Sequence, residues 1–188
     1  MSQVRILPGR PKRDFNKAHI GMKRFLISDT HFGHDAVYKF THLDTGERIR
    51  PWATKADEGD AIMIDRWNSV VGPTDKVYHL GDVAFPRRSL QLLDKLNGKK
   101  VLIKGNHDMF ELKDYAKHFV DIRGAFEIHN IILTHVPIHD SQMERWKGNI
   151  HGHLHSKIID DPRYFNVSVE QLDAYPIELD EVVDTLTS

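Results

Sequence analysis

The chain has 188 residues, of which 40% are hydrophobic and 28% charged, a composition typical of one soluble globular domain rather than of a disordered chain. It has no cysteine, which excludes disulfide scaffolds, thiolate zinc sites and cysteine nucleophiles, and no apolar run of about 20 residues that would predict a membrane span. The net charge of −1 gives no overall positive field for nucleic acid, and the sequence predicts a cytoplasmic protein.

Residues 1–21 are predicted to form a basic tail. They carry five Lys or Arg residues against Asp14 alone, together with two prolines and no sustained hydrophobic period. We therefore expect a flexible segment before a single domain over residues 22–188. An upstream start codon or a cloning leader would explain such a segment without any function. The functional alternative is a basic arm that contacts a phosphate polymer.

The elements that follow alternate between strands and helices. In chain order they are a strand over Arg24–Ser28, a short helix over Asp35–Phe40, a helix over Ala53–Val70 with Thr54 as its N-cap, a strand over Lys76–Leu80, a helix over Arg87–Leu96, a strand over Val101–Lys104 and a weak helix over Glu111–His118. From Phe126 onward the predicted elements are mostly strands, over Phe126–Thr134, Asn149–Gly152 and Phe165–Glu170. A helix over Glu178–Leu186 is predicted to close the chain. This order predicts an α/β or α+β fold.

Each of the first three predicted strands ends in a polar cluster. The clusters are Asp29-Thr30-His31, Gly81-Asp82 and Gly105-Asn106-His107-Asp108. Ligands of open α/β sheets gather beyond the carboxyl ends of the strands, so these clusters are expected to converge on one place. The two leading glycines allow the tight turns that such a convergence needs.

Seven side chains in these clusters and later in the chain have the chemistry of metal ligands: Asp29, His31, Asp82, Asn106, His135, His153 and His155. Four imidazoles, two carboxylates and an amide suit Mn²⁺, Fe or Zn²⁺, and they lack the sulfur of a closed structural zinc site. Seven ligands exceed what one ion needs. If one carboxylate bridges, they supply four protein ligands to each of two ions.

The motifs that carry a family resemblance are, in chain order, Asp29-x-His31, Gly81-Asp82, Gly105-Asn106-His107-Asp108, His135 and Gly152-His153-x-His155. This set resembles the signature of the calcineurin-like metallophosphoesterases, and the size of the chain is similar to that of their compact bacterial and phage members. The resemblance implies a two-sheet β-sandwich flanked by helices in four layers, built from two βαβαβ-like halves.

The resemblance also implies roles for the site residues. It distributes the ligands as Asp29, His31 and His155 on one ion, Asp82 as the bridge, and Asn106, His135 and His153 on the other ion. It further implies that His107 donates to the phosphate or to the leaving oxygen, and that Asp108 orients or tunes the His107 imidazole.

Five further side chains are candidates for substrate contact or for support of the ligands: His34, His79, Arg145, Trp146 and His151. The sequence leaves two roles open for His79: a packed, hydrogen-bonded core histidine, or a histidine that supports the metal ligands. The loop over 139–148 places an Arg that can grip a phosphate beside a Trp that either stacks on a base or pins the loop to the core.

The sequence therefore predicts a dinuclear metal-dependent hydrolase of phosphate esters. We expect a phosphodiesterase on small or nucleotide-type substrates, working by attack of metal-bound hydroxide without a covalent intermediate. Mn²⁺ is the first choice of metal, with Fe, Ni²⁺ or Zn²⁺ as alternatives. The alternative functions are a nuclease that acts on DNA or RNA ends, and a scaffold that keeps the fold without the reaction. No membrane partner is expected, and the pattern specifies no oligomeric state.

Overall fold

The structure is a computed structural model that describes residues 21–187. The predicted basic tail falls almost wholly outside the described residues, so its state stays a prediction. No helix within the described range is both long and apolar enough to cross a lipid bilayer.

Short strands and short helices make up the described chain. The strands are β1 (Arg24–Ile27), β2 (Lys76–His79), β3 (Lys99–Ile103), β4 (Asp121–Arg123), β5 (Phe126–Ile128), β6 (Ile131–Leu133), β7 (Gly148–His151), β8 (Tyr164–Asn166) and β9 (Ile177–Glu178). The α-helices are α1 (Ala56–Val70), α2 (Leu112–Tyr115) and α3 (Leu179–Thr187), and 3₁₀ helices cover Asp35–Lys39, Arg87–Lys95 and Asp140–Arg145.

The strands form two sheets. One has the order β4-β3-β2-β1-β9, in which β1 to β4 are parallel and β9 is antiparallel to β1. The other has the order β5-β6-β7-β8, in which β5 and β6 are antiparallel and β6, β7 and β8 are parallel. The predicted mixed α/β fold, with two sheets flanked by helices, is confirmed.

The five-stranded sheet is buried on both faces, as parallel sheets usually are. In β1, Phe25 and Ile27 pack on the side of Trp67 of α1, whereas Leu26 between them packs toward Ile150 of the second sheet. Burial of each such side chain contributes roughly 1.5–3 kcal/mol, so the alternation stabilises both the helix–sheet and the sheet–sheet contact. The indole N–H of Trp67 donates to the Asn97 carbonyl at 3.0 Å, so this tryptophan is a core residue.

The start of α1 corrects one prediction. Thr54 is not the N-cap, because α1 begins at Ala56 and both the N–H and the hydroxyl of Thr54 donate to the Glu58 carboxylate at 2.9 Å. The first helical N–H, that of Ala56, instead donates to Oδ1 of Asp35 at 2.8 Å. A carboxylate distant in sequence thus caps the helix, and it ties the segment after the first polar cluster to α1.

One further prediction was partly wrong. The predicted strand over Phe126–Thr134 is a hairpin of β5 and β6, because His129 and Asn130 adopt positive φ values of 53° and 61° and turn the chain. The helices predicted over Asp35–Phe40 and Arg87–Leu96 are present as 3₁₀ helices over Asp35–Lys39 and Arg87–Lys95. The sequence did not predict β4 and β9, which pair at the two edges of the first sheet. Each has too few residues to show a hydrophobic period.

Candidate metal centre

The carboxyl ends of five strands meet at one edge of the two sheets. The loops after β1, β2 and β3 carry Asp29, Asp82 and Asn106, and the loops after β6 and β7 carry His135 and His153. Parallel strands within each sheet point these loops the same way, and packing of the two sheets brings the two sets of loops together. The structure therefore gathers the predicted ligands, which come from distant parts of the sequence.

The first group of ligand atoms comes from Asp29, His31 and His155, and these atoms all lie within 4.8 Å of one another. The Nε2 atoms of His31 and His155 lie 4.0 Å and 3.9 Å from Oδ1 of Asp29. Protein–metal bonds of about 2.0–2.2 Å place the ligand atoms of one ion about 3–4 Å apart. This spacing fits one metal ion.

The two oxygens of the Asp29 carboxylate have different surroundings. Oδ2 accepts hydrogen bonds from the hydroxyls of Ser28 and Ser168 at 2.6 Å and 2.9 Å, and from the His153 N–H at 2.9 Å. Oδ1 is buried and has no hydrogen-bond partner among the described residues. Burial raises the pKa of Asp29, so a cation beside Oδ1 would compensate both the burial and the missing partner.

The second group comes from Asp82, His135 and His153, again within 4.8 Å of one another. The side-chain oxygen of Asn106 belongs to the same cluster, because it lies 2.8 Å from Nε2 of His135. Oδ2 of Asp82 lies 3.3 Å from Nε2 of His135 and 3.6 Å from Nε2 of His31. The Asp82 carboxylate therefore stands between the two groups.

Metal binding needs neutral imidazoles and charged carboxylates, and the pKa values of His31 and Asp82 are shifted in that direction. Burial, together with the positive charge of Arg50, lowers the pKa of His31 to about 3. Burial opposes ionisation of Asp82, but the hydrogen bond with His135 and that from the His107 N–H lower its pKa to about 2. Burial opposes protonation of His135 and His155, but hydrogen bonds with Asp82 and Glu170 raise the pKa values of these two imidazoles. The donor set and its spacing thus fit two divalent ions.

Backbone strain is concentrated in this cluster. Asp29, His31, Asp82, His153 and His155 all have positive φ values, of 58°, 47°, 56°, 67° and 51°. Left-handed conformations of residues other than glycine cost about 1–3 kcal/mol each and persist only where the surrounding structure imposes them. The loops are therefore held in the conformations that aim these side chains at one another.

Two glycines let the loops after β2 and β3 touch. A Cβ atom on Gly81, where φ is +88°, would lie 2.5 Å from the Gly105 nitrogen, and one on Gly105 would lie 2.3 Å from Oδ1 of Asp82. Contacts this short are excluded for a real side chain. The predicted need for glycine before Asp82 and before Asn106 therefore has a direct steric cause.

His107 lies beside the two groups without joining either. Its backbone N–H donates to Oδ1 of Asp82 at 2.8 Å, its side chain is exposed, and its ring centroid lies 5.7 Å from that of His31. The exposed imidazole thus stands at the entrance to the cluster, beside His31.

The Asp108 carboxylate contacts the backbone of two ligand loops. Its buried Oδ2 accepts the N–H groups of Asp82 and Gly105 at 2.9 Å and 2.8 Å, and its Oδ1 accepts that of Val83 at 2.9 Å. These contacts fix the backbone of two ligand loops rather than the orientation of the His107 ring. Asp108 is a positioning residue for the loops.

His79 and His151 support the ligand loops from behind. Nε2 of His79 lies 3.0 Å from the Thr30 hydroxyl, and that hydroxyl donates to the Val83 carbonyl, so the imidazole is the donor. Nδ1 of His151 lies 2.8 Å from the Gly152 carbonyl. Burial lowers the pKa of His79 to about 3 and that of His151 to about 4, so both rings are neutral near pH 7.

The remaining candidates separate into two places. The His34 ring lies near the cluster, with its centroid 5.9 Å from that of His31. Trp146 contacts β5, because its indole N–H donates to Glu127 at 3.0 Å, and the Arg145 guanidinium lies 5.9 Å from the indole centroid. The indole thus joins this loop to an exposed glutamate of β5, and its role in substrate contact stays a prediction.

Comparison with known proteins shows a relationship over most of the chain. The protein MJ1445 of Methanocaldococcus jannaschii, described as uncharacterized, is 33% identical over 172 residues, which cover 86% of this chain and 89% of MJ1445. The chain belongs to the MJ1445 family. No protein-family model matches it.

Two solved structures resemble this member of the MJ1445 family. AQ665 of Aquifex aeolicus, described as a protein of unknown function, has a TM-score of 0.63 and 24% identity, and the match covers 87% of this chain and 99% of AQ665. This similarity shows a shared fold. A protein described as a novel archaeal phosphodiesterase matches more distantly, with a TM-score of 0.43 and 22% identity over 77% of this chain and 82% of that one.

This MJ1445-family chain also contains a buried ion pair that sequence reasoning missed. Oε1 of Glu170 lies 2.9 Å from Nδ1 of His155 and accepts from Nε of Arg50 at 2.7 Å. Arg50 is fully buried and donates further to the carbonyls of Asp29 and Thr30 at 2.6 Å and 3.1 Å. The pair therefore connects the His155 side chain to the backbone of Asp29, and no local sequence motif predicts this contact.

We expect Glu170→Gln to weaken metal binding selectively at the group of Asp29, His31 and His155. Glu170 accepts from Nδ1 of His155 and so turns its Nε2 toward Asp29; loss of such a supporting contact typically costs about 10–100-fold in metal affinity. Metal content after graded dialysis measures the effect, with Glu127→Gln as a matched control on an exposed glutamate. Equal release of both ions, or of neither, would show that Glu170 does not position His155.

Proposed function

We propose that the protein is a dinuclear metal-dependent hydrolase of phosphate esters in the calcineurin-like metallophosphoesterase superfamily. The observation that carries this proposal is the position of the Asp82 carboxylate, 3.3 Å from His135 and 3.6 Å from His31, between two groups of ligand atoms. A carboxylate shared in this way suits a pair of ions about 3.5–4 Å apart, the arrangement used for displacement at phosphorus. We propose diesters of modest size, including nucleotides, as substrates.

The ligand side chains have separate tasks in this proposal. They comprise Asp29, His31 and His155 for one ion, Asp82 for both, and Asn106, His135 and His153 for the other. When bound, two divalent ions supply Lewis acidity that activates water and neutralises phosphate charge. Mn²⁺ is the proposed metal, and Fe, Ni²⁺ and Zn²⁺ tolerate the same nitrogen and oxygen donors.

His107 supplies the proton donor in the proposed reaction. Its backbone is fixed by the bond to Asp82, so the exposed imidazole is held at the entrance of the cluster. From there it donates a hydrogen bond to a phosphate oxygen or to the leaving oxygen as negative charge develops. The backbone contacts of Asp108 keep the loop in place while this happens.

Hydrolysis of two chromogenic esters tests the proposal. Protein stripped of metal and refilled with Mn²⁺ is expected to release p-nitrophenol from bis-p-nitrophenyl phosphate, and the rate on p-nitrophenyl phosphate measures the preference for diesters. The stripped protein is the control. Two bound ions without release from either ester would contradict the proposed reaction, and no bound ions would contradict the site.

An oligonucleotide arm of the same experiment tests the nuclease alternative. That alternative depends on the basic residues of segment 1–21, which lies almost wholly outside the described chain. We expect removal of residues 1–21 to leave hydrolysis of bis-p-nitrophenyl phosphate unchanged. Efficient cleavage of end-labelled DNA or RNA that depends on these residues would favour the nuclease instead.

A further inference from the structure

Three exposed apolar side chains lie on the loops that carry Asp82, His107 and His135. Phe85, Met109 and Val136 follow shortly after Asp82, His107 and His135 in the chain, and they are 48%, 74% and 49% exposed. A loop that carries a metal ligand or the proposed proton donor thus also presents an apolar side chain to solvent. Apolar surface grouped around a polar site is typical of a binding site for a ligand that has an apolar part.

Phe85 has the most defined geometry of the three. Its ring stacks on His34, with centroids 4.1 Å apart and planes 15° apart, and its centroid lies 6.5 Å from that of His107. Its backbone is anchored, because the Phe85 N–H donates to the Phe32 carbonyl at 3.1 Å. A flat, half-exposed aromatic pair is therefore held beside the proposed reaction centre.

We propose that Phe85 and His34 form a stacking subsite for a planar ring attached to the substrate phosphate, and that the ring is the base of a nucleotide. The inference rests on the proposed function, because it assumes that the phosphate binds at the metal cluster. Stacking on an aromatic side chain favours any flat π-system, whereas a flexible alkyl group gains no such contact. Bases are the flat groups that nucleotide esters carry.

Equilibrium binding to the Mn²⁺-loaded full chain tests the subsite with a readout other than ester hydrolysis. The probes are AMP and ribose 5-phosphate, which share the sugar and the phosphate and differ by the base. AMP is expected to bind more tightly, and Phe85→Ala is expected to weaken AMP about 10-fold, within the range measured for base stacking, while the affinity for ribose 5-phosphate stays the same. Phe85→Trp keeps an aromatic surface and is expected to retain AMP binding.

Two controls sharpen the result. Phe40→Ala removes a phenylalanine of similar exposure, 50%, whose backbone bonds are to Val37 and Ile49, and it is expected to change neither affinity. Phenyl phosphate distinguishes the source of the ring: weakening of AMP alone indicates selection for a base, and parallel weakening indicates a subsite for any aromatic ring. The first result supports a nucleotide base as the occupant, whereas the second supports stacking but overturns the base as its specific occupant.

Other outcomes would overturn the subsite. These are equal affinities of the unaltered protein for AMP and ribose 5-phosphate, parallel weakening of both by Phe85→Ala, or loss of AMP binding in Phe85→Trp. Failure of the proposed function is separate, because it appears as absent ester hydrolysis. If the protein hydrolyses the esters but binds AMP equally well without Phe85, the subsite is rejected and the proposed function stands.

Discussion

His107→Ala is expected to lower kcat/KM for diphenyl phosphate by about 10²–10⁴-fold, the usual contribution of a positioned proton donor, while two ions per chain are retained. The contact between this residue and Asp82 uses the backbone N–H, which alanine keeps. The imidazole belongs to neither ligand group, so its removal takes away a donor and not a ligand. Steady-state kinetics and metal content of the same preparation measure the two effects.

The leaving group provides a sharper form of this test. The p-nitrophenolate group leaves with little help from a proton, whereas phenol must be protonated as it leaves. Loss of a proton donor to the leaving oxygen is therefore expected to slow hydrolysis of diphenyl phosphate more than hydrolysis of bis-p-nitrophenyl phosphate. His118→Ala, which alters a histidine paired with Asp94, is the matched control and should leave both rates unchanged. Loss of metal from His107→Ala, or equal rates in the two variants, would contradict the assigned role.

Asp82→Asn is expected to release both ions together. The carboxylate stands 3.3 Å from His135 and 3.6 Å from His31, and its other oxygen accepts the His107 N–H. An amide has no negative charge, and its nitrogen must face either the cations or that N–H donor. The loss of metal affinity should therefore be larger than the loss of about 10–100-fold that removal of a supporting contact causes.

His135→Ala is the comparison that makes the Asp82 result specific. His135 belongs to one ligand group only, so its removal is expected to deplete one ion preferentially. Metal analysis after graded dialysis, with thermal unfolding of the refilled proteins, separates the two patterns. Retention of one ion at full affinity in Asp82→Asn would show that this carboxylate serves a single ion.

Much of the framework is predictable from local sequence. The strands β1, β2 and β3 lie within the predicted ranges or within two residues of them, because short apolar runs ending in glycine-bearing polar clusters have few other interpretations. The order of strands and helices likewise indicated the mixed α/β fold. Helix type and caps were less predictable: the Asp35 carboxylate that caps α1 is distant in sequence from Ala56.

The sequence by itself determined the chemical inventory: the histidines, carboxylates and amide, their order, and their positions after strands that a parallel sheet aligns. Only the tertiary structure decided what each group touches. It placed Asp108 on backbone N–H groups, buried Arg50 and Glu170 behind His155, and stacked Phe85 on His34. The reason is physical. A strand end dictates where a side chain emerges, but hydrogen bonds, ion pairs and ring contacts between distant segments depend on how the two sheets and their loops pack.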